Sequence, residues 1–533
     1  MALLPTAISL ILRLGLLLAF LLDPKATVTT ARPVMKPADV RIASVAAQQV
    51  NYTPKQYLVV DGKPFFPVGV SYHFTENKGS WDQDLQAMRD LGLNTVRVDL
   101  SWRDVSPVVP WSYQFSDLDD FLDRAARHGL YVVLVFSHTT GDYNTPIWFW
   151  LLNSDWRVVG RRGNTPLADE PSINHPTYRR QLEDYIAATV RHVKDHPAIL
   201  AYQLLNEPRY DSTRLYDYNP YSIAAFQSWL QRKYGNPERL NRAWSTSYLS
   251  FKDAQPPRDV PSDLSKSAQA TQWTDWRQFS YDNLAGFVGD LAHTAKKADP
   301  DHPVIVSEMA WWWWGEQPFT GVSPLHIYKD ADIVGYDLYP DSIEDASYFL
   351  LTSDMLARYW HKPVWVMELN SKDGNPTGEE IQKFVSNALE GGASGIFYFQ
   401  WRDNQLDGGN YGILDANDGR KPQYGGLAAT VRWLKGRGES LMAAPQPKPD
   451  LYLVWPSSAV GEEVGRDSPA WELYSIARRL MEGGLRIGLV AEDLIQAVDP
   501  QKLVSLHDGR LEIGKGTAVP LNPRIHGPLI SDQ

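Results

Sequence analysis

Short apolar runs recur along the chain, each followed by a polar turn and then by a stretch with apolar residues at helical spacing. Eight such runs read as strands: Phe65–Val70, Asn94–Val98, Tyr131–Phe136, Ile199–Leu205, Pro303–Ser307, Ile333–Asp337, Val364–Met367 and Gly395–Phe399. Strands that alternate with helices must run parallel, and eight βα units predict a (β/α)8 TIM barrel of the α/β class. The helices carry their own punctuation. Leu118, Phe121, Leu122, Ala125 and Ala126 repeat on one face, and Gly129 stops them. Thr377 and Glu380 stand at capping-box spacing ahead of Ile381, Phe384, Val385, Ala388 and Leu389.

The same reading divides the chain. Residues 55–442 make the barrel unit. Ahead of the first barrel strand, Tyr57–Val60 and Lys63–Phe66 flank Asp61-Gly62, a type I′ hairpin signal, and such a hairpin can plug the bottom of a barrel. A Pro-rich linker at 443–449 leads to a small α/β unit over 450–516, with strands at Leu451–Val454 and Ile487–Val490 around a helix at Trp471–Glu482. Residues 517–533 form a tail. Residues 33–54 read as a linker. Residues 1–32 carry Arg13 before the apolar run Leu14–Leu22, the pattern of an export signal cleaved after Ala26 or Ala31, or of an uncleaved membrane anchor. Either way the expected location is secreted, periplasmic or at the cell surface.

Composition narrows the chemistry. The formal charge is −11 with no long basic run, which argues against a nucleic-acid partner. The absence of Cys excludes disulfides, thiolate zinc sites and a Cys nucleophile. No phosphate loop or metal-ligand spacing is visible, so no cofactor is expected. Twenty Trp suit a carbohydrate partner, whose C–H faces stack on flat rings, although large enzymes also bury many aromatics.

Catalytic groups of such barrels sit at the C-terminal ends of the strands. Strand four ends Asn206-Glu207-Pro208 and strand seven ends Met367-Glu368-Leu369. A lone Glu is more often a surface or capping residue. Two on nearly opposite strand ends are what glycosidic hydrolysis uses: one carboxyl protonates the leaving oxygen and the other attacks the anomeric carbon. Asn206 is placed for the sugar 2-OH. Arg97 interrupts an apolar strand, which is costly unless it is paired; it can orient Glu368, form a structural salt bridge, or both. Tyr336 and Tyr339 both follow strand six, and either can donate to the nucleophile. Trp401 ends strand eight, where a stacking floor would lie. Trp311–Trp314 cannot all face one core, so Trp313 is a candidate for an aromatic wall, and His138 and Asn144 are candidates for polar sugar contacts. Glu308 and Glu316 are competing carboxylates.

The strand-four Asn-Glu and strand-seven Glu resemble clan A glycoside hydrolases. Trp81–Asp84, Met88–Asn94, Phe115–Asp119, Phe226–Trp229, Lys233–Gly235, Leu240–Trp244 and Tyr398–Arg402 narrow the resemblance to glycoside hydrolase family 42, the β-galactosidases, over roughly residues 65–435. The resemblance implies Glu207 as acid/base, Glu368 as nucleophile, and sugar contacts from Arg97, Asn206 and Trp401. It also implies a homo-oligomer, since the unit from Asp450 looks like the start of the family's trimer-forming domain. The chain departs from the family at Pro208, where Tyr is usual, and in lacking the Cys-based zinc cluster. Two other readings stand beside it: an exported endo-β-glycanase of mannanase or cellulase type, and a non-catalytic carbohydrate-binding barrel.

Overall fold

The computed structural model describes residues 38–45, 52–53, 55–136, 145–152, 155–163, 171–210, 216–259, 261, 267–310, 320–404, 409–444, 446–455, 469–507, 510–513 and 517–519. Eight parallel strands close into a barrel: β1 (Val68–Tyr72), β2 (Thr95–Leu100), β3 (Tyr131–Phe136), β4 (Ile199–Leu204), β5 (Val304–Met309), β6 (Ile333–Leu338), β7 (Val364–Leu369) and β8 (Gly395–Tyr398). Each neighbours the next, and β8 pairs with β1 through Phe397 and Gly69. All eight expected strands are present, with ends shifted by a few residues. In β4, β6 and β7 every residue is buried, as strands covered on both faces must be.

Helices follow the strands on the outside. Those that bear on the site are α1 (Trp81–Leu91), α2 (Ser116–Arg127), α3 (Pro176–Val193), α4 (Pro220–Tyr234), α5 (Pro237–Trp244), α6 (Ala268–Ala298), α7 (Ser347–Trp360), α8 (Gly378–Glu390) and α9 (Pro422–Ala443). The Thr377–Glu380 capping box forms in both directions: the Glu380 amide donates to Thr377 Oγ1 at 3.2 Å, and the Thr377 amide donates to Glu380 Oε2 at 2.8 Å. Among the described residues no helix is long and apolar enough to cross a membrane. Residues 1–37, with the apolar run Leu14–Leu22, lie outside the described residues.

The apolar core has two layers. The larger lies between strands and helices. The smaller fills the barrel and continues into a three-stranded antiparallel sheet beneath it. That sheet contains the expected hairpin, Lys55–Val60 with Lys63–Phe65, turning through Asp61 (φ 50°) and Gly62 (φ 77°) as a type I′ turn requires. Val40, Leu58 and Val60 pack against Val133, Ile305, Trp365, Met367 and Phe397, so the sheet plugs the barrel floor.

The stretch 33–54, expected as a linker, is not wholly one. Val40–Val45 pairs with Lys55–Val60 as the sheet's third strand, and Tyr52–Thr53 pairs with Gln446–Pro447. Val40 joins the plug while Ile42 stays exposed, so the segment is a half-buried edge whose pattern is too short to stand out.

Beyond the linker, β9 (Leu451–Trp455) lies parallel to both β10 (Ile487–Ala491) and β11 (Leu503–His507), with α10 (Pro469–Glu482) in the connection. Two antiparallel strands, Arg510–Ile513 and Thr517–Val519, extend the sheet, so the expected tail begins with a paired strand. Residues 520–533 lie outside the described residues. This unit docks on α7: the rings of Tyr348 and Tyr474 stack at 3.3 Å, and the Ser347 and Tyr474 hydroxyls bond at 2.8 Å.

Candidate active site

Chain geometry at the end of β4 aims two polar side chains into the barrel mouth. Leu205 (φ 59°) and Glu207 (φ 46°) both take the left-handed conformation that L-residues rarely adopt, with Asn206 between them. The Glu207 amide donates to the Ser307 carbonyl of β5 at 3.2 Å, which fixes the turn. Glu368, at the penultimate position of β7, is 4% exposed.

Glu207, Glu368 and a third carboxyl, Asp337 of β6, bring oxygens within 4.8 Å of one another. Their surroundings differ. Glu368 Oε1 pairs with Arg97 Nη1 at 2.9 Å, and the Tyr339 hydroxyl donates to Oε2. Arg97 is itself held from three sides: its Nε donates to Gln203 at 2.8 Å, Nη1 to Ser71 at 3.0 Å and Nη2 to Asn206 Oδ1 at 2.5 Å. Burial opposes its charge, but the carboxylates of Glu368 and Asp99 outweigh it and keep the guanidinium charged. Glu207 has no such direct pairing: Arg209 stands 3.7 Å away, and Arg97 is engaged by Glu368. Burial, then the charge of Glu368, pushes Glu207 up to about 7. One carboxyl is therefore paired with a fixed cation, and the other is an acid that keeps its proton to neutral pH. Two carboxyls in unlike environments is the division of labour that acid and nucleophile require.

The three carboxyls are also the group, among the described residues, whose oxygens lie close enough to share one cation. Arg97 already supplies the positive charge there, and the group reads as reaction machinery rather than a metal centre.

The sequence-derived residues fall in different places. Arg97, Asn206, Glu207, Tyr339 and Glu368 converge at the mouth. Tyr339, not Tyr336, reaches the nucleophile candidate; the Tyr336 hydroxyl turns outward to Ser353 at 2.7 Å. The Asn206 carbonyl oxygen is taken by Arg97 and by Gln203 Nε2 at 3.0 Å, so a sugar contact falls to its amide nitrogen. Trp401 is 1% exposed, and its indole N–H donates to Asp84 at 2.9 Å. It backs a cavity of about 430 Å³ shared with His73, Glu76, Gln400 and Asp403 at the β1 and β8 ends. Phe399, with Tyr339 edge-on at 6.1 Å and His73 at 6.4 Å, is a more exposed ring at the end of β8. His138, Asn144, Trp313 and Glu316 lie outside the described residues. Glu308 is fully buried, and neither of its oxygens has a hydrogen-bond partner among the described residues. Burial, then Glu207, pushes it well above the carboxyl range.

Gln203, Ser71 and Asp337 were not expected. Gln203 carried a signal, a polar side chain inside the apolar run Ile199–Leu205, the same reasoning that singled out Arg97. Ser71 and Asp337 carried little, because a small hydroxyl and an acid at a strand end are common.

Comparison with known proteins adds an independent line. The glycoside hydrolase 42 family model, described as beta-galactosidase, matches residues 72–429, about two thirds of the chain. The β-galactosidase LacZ of Heyndrickxia coagulans is 28% identical over 342 residues, covering 61% of this chain and 49% of that protein. The chain spans about half the length of the curated relatives it matches. Among solved structures, the β-galactosidase of the psychrophilic Marinomonas ef1 superposes with a TM-score of 0.68 at 20% identity, over 80% of this chain and 70% of that one. The family 42 exo-carrageenase of Bacteroides ovatus gives 0.62 at 18% identity, over 87% and 64%. At these identities the two superpositions speak for the barrel alone.

Proposed function

Because the chain belongs to glycoside hydrolase family 42, we propose that it hydrolyses terminal β-galactosides with retention, using Glu207 as general acid/base and Glu368 as nucleophile. The observation that carries this reading is the spacing of the two carboxyls. An oxygen of each lies within 4.8 Å of one of the other, which suits the carboxyl separation of about 5–5.5 Å for direct attack better than the about 6.5–9.5 Å that admits a water in an inverting pair.

The chemistry follows from the surroundings. Glu207 donates its proton to the glycosidic oxygen as that bond breaks. A Glu368 oxygen attacks the anomeric carbon from the opposite face and forms a glycosyl–enzyme ester. Glu207, now a carboxylate, takes a proton from water, and the water oxygen displaces Glu368. Arg97 and Tyr339 hold Glu368 in line before attack and after release. The Asn206 amide is placed for the 2-OH, a contact that strengthens in the transition state. Export across the cytoplasmic membrane belongs to the same reading and is supported by Arg13 and the apolar run Leu14–Leu22. Its substrate is then an extracellular galactoside.

The test is a panel of nitrophenyl β-galactoside, β-glucoside and β-mannoside with the wild-type chain and Glu368→Gln. Galactoside cleavage that drops by about 10⁴-fold or more in the variant is expected. Turnover surviving in Glu368→Gln would remove Glu368 from its role. Cleavage of none of the three by the wild type would remove the galactoside reading and bring polysaccharides forward as substrates.

A further inference from the structure

Asp337 is a third carboxyl in a site whose chemistry uses two. It is the penultimate residue of β6, has no exposed surface, and its two oxygens have unlike surroundings. Oδ1 accepts a hydrogen bond from Ser307 Oγ at 2.9 Å. Oδ2 is buried, and no donor among the described residues reaches it. Yet the Glu207 carboxyl is its close neighbour, an oxygen of each lying within 4.8 Å of the other. An ionised Oδ2 would have no donor in reach but the Glu207 proton, which the reaction needs at the glycosidic oxygen, and buried polar atoms avoid lacking a partner. A protonated Oδ2 is a donor, with the Glu207 carboxyl beside it as an acceptor.

The charges around it lead to the same state. Asp337 is faced by Glu368 from β7, Glu207 from the β4 end and Arg97 from β2, with Arg209 beside Glu207. Tyr339 and Tyr328 lie near it as well, and Glu308 stands beside Glu207 on β5. Arg97 spends its charge on Glu368, the carboxylate it bonds directly. No second guanidinium bonds Asp337 among the described residues, and like charges this close in a dry site cannot all ionise.

We infer that Asp337 is a positioning residue for the acid/base: held as the neutral acid, its Oδ2–H donates a hydrogen bond to Glu207 throughout the cycle. Burial, then Glu368 and Glu207, pushes Asp337 well above the ordinary carboxyl range, as this role requires. The bond matters most when Glu207 has given up its proton to the leaving group, because it then meets a full negative charge. No proton is transferred from Asp337; it holds its own while Glu207 loses one to the leaving oxygen and regains one from water. This deepens the proposed function and rests on Glu207 being the acid/base.

Two measurements test it. The first compares Asp337→Ala and Asp337→Asn on aryl β-galactosides graded by leaving-group ability. A dinitrophenolate departs without protonation, whereas a poor phenol or an alkyl alcohol needs it. Asp337→Ala is expected to slow the poor leaving groups by roughly 100-fold while changing the dinitrophenyl galactoside by less than about threefold. Asp337→Asn, a neutral side chain that still offers an N–H, is expected to recover most of the loss. Equal slowing across the series, or an Asn variant as poor as Ala, would overturn the inference while wild-type cleavage left the galactosidase reading standing.

The second measurement needs no substrate and therefore separates the two failures. At pH about 8 Glu207 is ionised. The infrared carbonyl stretch of protonated carboxyls is then expected to be weaker in Asp337→Asn than in wild type. An unchanged band means that Asp337 is ionised, and the inference falls whatever the enzyme cleaves.

Discussion

Glu207 combines a left-handed backbone with a half-buried acid, and both cost stability. A non-Gly residue at φ 46° costs of order 1–3 kcal/mol. The acid adds a pH-dependent part. In the unfolded chain this Glu ionises near 4.5, and in the fold near 7, so the fold binds the proton more tightly. That contribution is complete below pH 4.5 and is lost as pH rises to 7, amounting to about 3 kcal/mol. Glu207→Gln carries no proton to lose. Its melting temperature relative to wild type is expected to rise between pH 5 and pH 8 in calorimetric scans; a gap that stays constant would mean Glu207 is not the raised group. In turnover the sign is the same, since the acid limb is lost as pH passes about 7. At this scale the sequence exposed residues that violate local rules. Arg97 was legible because a charge does not belong in an apolar strand, and Glu207 and Glu368 because two acids ended strands of one barrel. Asp337 was not, because its meaning lies in which neighbours reach each oxygen, and those come from β4, β5 and β7.

Elements were more legible than side chains, because a helix or strand declares itself through local period and punctuation. The α8 capping box is a case in which sequence spacing and hydrogen bonds agree atom for atom. Thr377→Ala is expected to cost about 1 kcal/mol in urea unfolding, with Thr377→Ser restoring most of it; an unchanged midpoint would show that the α8 terminus is held by packing instead. The hairpin turn was equally open, since only residues tolerant of positive φ suit a type I′ turn, and Asp61 and Gly62 supply both positions. Val40–Val45 was hidden for the opposite reason. Its partner Lys55–Val60 lies across residues 46–54, and an edge strand needs little apolar periodicity when pairing and one inward face decide its place.

For the whole molecule, the floor and the docked C-terminal unit set how the barrel is supported. Leu58 is fully buried at the junction of the hairpin sheet and the barrel interior. Leu58→Ala is expected to destabilise the barrel by about 2–5 kcal/mol, read as a lowered unfolding midpoint. Tyr474 belongs to a separate contact, its ring stacked on Tyr348 of α7. Tyr474→Ala is expected to increase hydrogen exchange in α10 and β9 while leaving β4 and β7 protected; exchange rising equally in the barrel would mean that the two units open as one. The order of strands and helices already implied a barrel, but the way its ends are held did not follow from period, because those contacts join residues hundreds of positions apart.

The plugged floor has a consequence for traffic. Side chains fill the barrel beneath the catalytic mouth, so the aglycone leaves on the side from which the next molecule comes in. For the retaining enzyme proposed above, the ester on Glu368 waits at that mouth until something with a hydroxyl arrives. In dilute sugar that visitor is water. As substrate accumulates, a second sugar competes for the same passage, and the catalyst turns from cutting glycosidic bonds to building them.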